Sequence, residues 1–109
     1  MLEVIAKGSR HTGAVHRLAR ALTPLLDSHR DAGAVPGYEL RIEALLDLGE
    51  HQEPEPDLAV VTARSDAWLD AHPTAADTLL VIEVADASLS YDLDTKLRLY
   101  QRAGIAHYW

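Results

Sequence analysis

Apolar positions along the chain follow two rhythms, one helical and one extended. At about 100° per residue, Val15, Leu18, Leu22 and Leu26 fall on a single stripe while His16, Arg17 and Arg20 turn away. This predicts a helix from Ser9 or Thr12 to about His29. Pro24 lies inside the pattern, and its missing N–H predicts a kink there or a break into two helices. Asp31 to Gly37, with Gly33 and Pro36, reads as a loop. Tyr38 to Glu43 alternates strictly, as a strand with one buried face does. Asp47 to Pro56 is polar and broken by Gly49 and Pro54, which makes it a loop, and Leu58 to Thr62 is a short apolar strand. Ala63 to Thr78 carries Trp68 and Leu69 and is expected to hold one short helix ended by Pro73. Thr78 to Ala85 is apolar on both faces, as expected of a central strand. A second helix is predicted from about Tyr91 to Ala103, stopped by Gly104, and Ile105 to Trp109 begins another strand. The order helix, strand, strand, strand, helix, strand predicts an α/β (α+β) domain in which helices pack against a mixed sheet.

Composition narrows the function classes. A chain of 109 residues, 48% of them hydrophobic, suits one globular domain. No apolar run approaches the roughly 20 residues of a membrane helix. Met1 to Arg10 lack the charged-then-apolar layout of a signal peptide, so a cytoplasmic protein is expected. Without cysteine there is no disulfide framework and no thiolate zinc site. The net charge of −7 runs against a broad basic face for nucleic-acid phosphates.

The candidate chemistry starts from Glu83, a charge in the otherwise apolar run Leu79 to Ala85. A carboxylate there must be protonated, paired or metal-bound, unless it reaches solvent at the sheet's edge. On the second helix, Leu93, Leu97, Leu99, Tyr100 and Ala103 span one apolar arc, and Lys96 lies inside it. Asp94, Thr95, Arg98, Gln101 and Arg102 fall opposite. Either Lys96 serves a site, or it snorkels past the core or merely neutralises Glu83 or Asp92, one turn earlier. Asp57 opens the strand Leu58 to Thr62; alone, it is an ordinary strand-start residue. Jointly, two carboxylates on neighbouring strands with an inward lysine can hold Mg²⁺ or Mn²⁺ and assist water. His11 stands one turn before Val15, so its ring should face the sheet. A capping or core role is open to it beside a functional one. His16, His29, His51, His72 and His107 show no zinc spacing and read as solvated.

Several segments carry a resemblance. Lys7-Gly-Ser-Arg-His11, Glu55-Pro-Asp57, Leu80-Val-Ile-Glu-Val84, Ser88 to Tyr91, Asp92-x3-Lys96-x3-Tyr100, Ala103-Gly-Ile105 and Tyr108-Trp109 stand in the order found in the Uma2 family. The chain thus resembles restriction-endonuclease-like proteins of the PD-(D/E)xK superfamily, with a mixed central sheet flanked by helices. The resemblance implies Asp57 as the acid, Glu83 as the glutamate and Lys96 as the lysine. The superfamily's usual lysine position, two residues after the glutamate, is Ala85 here. It further implies metal ligation by Asp57, Glu83 and the Val84 main-chain carbonyl, with His11 positioning phosphate or water. Asp92 and Tyr100, in the Lys96 motif, are accessory candidates. Family members carry strands before and after the matching region, so the single domain 1–109 is expected to be truncated at one or both ends.

The expected function is a Mg²⁺- or Mn²⁺-dependent endonuclease hydrolysing DNA, able to form a homodimer through a sheet edge or the outer face of the first helix. The alternative is a catalytically inactive nuclease-fold binding or assembly module, which the acidic charge suits. An enzyme using Lys96 as a nucleophile on another substrate is a third class.

Overall fold

The computed structural model describes residues 9–31, 33, 37–84 and 90–109. The elements follow the predicted order: α1 (Ser9–Asp31), β1 (Tyr38–Ile42), β2 (Leu58–Thr62), β3 (Thr78–Ile82), α2 (Ser90–Ala103) and β4 (His107–Tyr108). The sheet order is β1-β2-β3-β4, with β2 antiparallel to both β1 and β3 and β4 parallel to β3. A mixed sheet with helices against it is therefore the architecture.

Strand alternation sorts the core into two layers. Leu58, Val60, Leu80 and Ile82 pack with Val15 of α1, joined by Leu18, Leu22 and Leu26 from its stripe. Ala59, Val61 and Val81 face the other way and pack with Tyr100 of α2, Ile105, Trp68 and Leu46. The helices thus cover opposite faces, and the inner strands β2 and β3 are apolar on both. Leu79 is the exception: Val60 pairs with Leu80 and Val61 with Thr78, so Leu79 is the extra residue of a bulge and is 37% exposed.

Three local expectations are corrected. Of the kink or break expected at Pro24, the break is excluded: helix α1 runs through it to Asp31. Leu22 and Leu26, one on each side, are packed against the sheet, and that burial offsets the lost hydrogen bond. The short helix expected before Pro73 instead follows it, as a single 3₁₀ turn at Ala75–Asp77. There the Asp77 carboxylate accepts from both the N–H and the hydroxyl of Thr74. The stretch before Pro73 forms turns in which Ala67 and Trp68 take left-handed backbone angles. Trp68 is nonetheless buried, its indole N–H donating to the Thr62 carbonyl and its ring lying beneath Arg64. Finally, β1 buries one face only partly. Tyr38 and Leu40 join the α1 layer, whereas Ile42 at the strand end is exposed.

Candidate active site

The carboxylates meet because of the β2–β3 register. Leu58 pairs with Ile82 as the last residues of the ladder, so Asp57 and Glu83 follow opposite one another on the α2 side. Both are buried, at 5% and 9% exposure. The backbone there remains fixed beyond the strands. The Asp57 carbonyl accepts from Glu43 N–H, and Glu83 N–H donates to the Trp109 carbonyl. Glu83 is therefore not in mid-strand; it stands one residue past the end of β3, where the sheet opens.

Each carboxylate has its own partners. Asp57 Oδ2 accepts from the Val84 N–H at 2.7 Å and lies 3.2 Å from His11 Nε2. His11 reaches it from the first turns of α1, with Nδ1 buried and lacking a hydrogen-bond partner among the described residues. Glu83 Oε1 accepts from the Tyr100 hydroxyl at 2.6 Å, and Glu83 Oε2 lies 3.8 Å from Lys96 Nζ. Tyr100 and Lys96 are one turn apart on α2, on the arc that faces the sheet.

Burial pushes the Glu83 carboxyl above its ordinary value, and the charge and hydrogen bond of nearby Asp57 push the same way. The Tyr100 hydrogen bond and the Lys96 charge oppose them without cancelling them. Burial and the Glu83 partner hold the Tyr100 hydroxyl far above its usual range. Tyr100 is thus a fixed donor at any working pH.

Two buried, mutually repelling carboxylates with oxygen donors fit a hard divalent cation, whose charge offsets what burial and repulsion cost. Among the described residues no cluster of three or more His, Cys, Asp and Glu side chains forms a metal cage. Magnesium does not require one, since it commonly takes one or two carboxylates and keeps several waters. The donor set fits.

Asp57, Glu83, Lys96, His11 and Tyr100 converge here. Lys96 is half-buried on the arc of α2 that carries Tyr100, its side chain 39% exposed, whereas Asp94, Thr95, Arg98, Gln101 and Arg102 are all exposed. His16, His29, His51, His72 and His107 are exposed, as expected. The Asp92 side chain and Ala85 lie outside the described residues. Val84 enters through its N–H, whereas the resemblance pointed to its carbonyl. No residue pattern signals this amide, because it follows only from the register that sets Val84 beside Asp57.

A mixed sheet between two helices, with an acid and a glutamate joined at the sheet's end by an inward lysine, defines an α+β domain of the restriction-endonuclease-like kind. The chain belongs to the Uma2 family: the family model, described as "Putative restriction endonuclease", matches residues 1–109. That family is placed generally in the PD-(D/E)xK superfamily. No curated protein matches the chain. Among the described residues no helix is long and apolar enough to cross a membrane.

Proposed function

We propose that this protein is a metal-dependent endonuclease that hydrolyses DNA phosphodiester bonds in the cytoplasm. The observation that carries the reading is the buried Asp57–Glu83 pair with Lys96 Nζ 3.8 Å from Glu83 Oε2. Asp57, Glu83 and the Val84 carbonyl would hold Mg²⁺ or Mn²⁺, and such an ion, when bound, would offset charge on the phosphate and acidify water. The chain's own residues prepare the rest. Tyr100 and Val84 N–H fix one oxygen of each carboxylate, which sets the direction of the remaining donors. Lys96 offers ammonium N–H groups to the negative charge that develops on the phosphate and to the attacking water. His11 sits against Asp57, at the edge of the site nearest α1, where it orients that carboxylate.

The net charge of −7 favours a second reading, a nuclease fold that binds partners without turnover. Cleavage separates the two. Plasmid and single-stranded DNA are incubated with Mg²⁺ or Mn²⁺, with and without EDTA, alongside Glu83→Ala. Metal-dependent cleavage lost in the variant supports the nuclease; no cleavage by the wild-type chain moves the assignment to the module.

A further inference from the structure

Arg41 lies on the same face of the sheet as the carboxylates and is not used by the site as described so far. It pairs in register with Ala59 of β2, and residues directly opposite in an antiparallel pair point the same way. Ala59 belongs to the α2 layer, whereas Tyr38 and Leu40 of β1 join the α1 layer, which fixes Arg41 on the α2 side. Two pairs further along, past Ile42 and Leu58, Glu43 N–H bonds the Asp57 carbonyl, so Asp57 is the diagonal neighbour of Arg41. Diagonal neighbours are separated by roughly 7–8 Å, within reach of a long side chain.

The arginine is also unspent. Among the described residues its Nε is buried without a hydrogen-bond partner, and the side chain makes no ion pair there. Nor does it neutralise Glu83, whose upward shift is opposed by Tyr100 and Lys96 and not by Arg41. A half-buried guanidinium whose Nε lacks a partner calls for an anion with paired oxygens, which a phosphodiester supplies. Lys96 approaches the carboxylates from α2, and Arg41 stands on the β1 side. By strand register and helix placement the two cations come from different sides of the pair, in a chain that is acidic overall.

We propose that Arg41 is a substrate-binding residue that grips a nucleic-acid phosphate next to the one placed at Asp57 and Glu83. This rests on the nuclease reading for its substrate class, but its test does not require turnover. A fluorescein-labelled DNA duplex and a single strand are titrated with wild type, Arg41→Gln, Arg41→Lys and, as an exposed-arginine control, Arg17→Gln. Calcium replaces magnesium to suppress cleavage, and salt is varied. Circular dichroism verifies that each variant is folded. Arg41→Gln is expected to weaken binding about tenfold or more. It should also make the logarithmic salt slope shallower by about 0.7–0.9, the loss of one phosphate contact. Arg41→Lys should keep the slope while binding more weakly, and Arg17→Gln should match wild type. A folded Arg41→Gln with wild-type affinity and slope would overturn the proposal, as would a wild-type chain that binds neither DNA. Arg41-dependent binding without cleavage would leave this proposal standing while the nuclease reading falls. Cleavage with binding indifferent to Arg41 would do the reverse.

Discussion

The Tyr100 hydroxyl donates to Glu83 Oε1 at 2.6 Å, and both groups are buried between α2 and the end of β3. This bond keeps an ionisable carboxyl usable in an apolar setting. Tyr100→Phe deletes the donor with little change of shape. At neutral pH it should destabilise the metal-free protein by about 1.5–3 kcal/mol, the usual worth of a hydrogen bond to a charged group. Urea unfolding measures it, and the loss should shrink at acidic pH, where Glu83 carries its own proton.

Glu83 itself should set a pH dependence with a definite sign. Its folded-state pKa is raised above the ordinary 4.5, so the folded chain holds the proton more tightly than the unfolded one. The associated stability is complete below that ordinary value and is lost as pH rises through the folded value. In EDTA, wild type should therefore lose stability relative to Glu83→Gln on going from acid to neutral pH. A difference between the two proteins that does not vary with pH would contradict the assignment.

Asp57 has a structural duty that its replacement by alanine and by asparagine should separate. Asp57→Ala orphans the Val84 N–H and should cost about 1–3 kcal/mol. Asp57→Asn keeps an acceptor for that amide and relieves the repulsion with Glu83, so its stability should stay close to wild type. Both variants should lose DNA cleavage. Thermal unfolding and a cleavage assay, run on the same samples, test the distinction.

Much of this arrangement is legible in the sequence. Lys96 betrays itself by standing inside an apolar helical arc, and Glu83 by interrupting an apolar run; burial makes such exceptions informative. Element order follows from the two hydrophobic periods. What stays hidden depends on pairings between distant segments. The Leu79 bulge has no local sign, nor does the union of Leu46, just before the polar loop, with the α2 layer. The left-handed Ala67–Trp68 turn defies residue preference, and Trp68 anchors it through tertiary contacts. The continuity of α1 through Pro24 likewise comes from packing, which local propensity does not contain.

The most direct test of the central claim compares wild type with Lys96→Met for both Mn²⁺ binding by calorimetry and Mn²⁺-dependent plasmid cleavage. Methionine keeps the apolar stem and removes the ammonium, and Lys96 is partly exposed, so stability should change by under about 1 kcal/mol. The account predicts that wild type cleaves, and that Lys96→Met binds Mn²⁺ but cleaves at least about a hundredfold more slowly. Cleavage that survives Lys96→Met, or its absence in the Mn²⁺-loaded wild type, would contradict it.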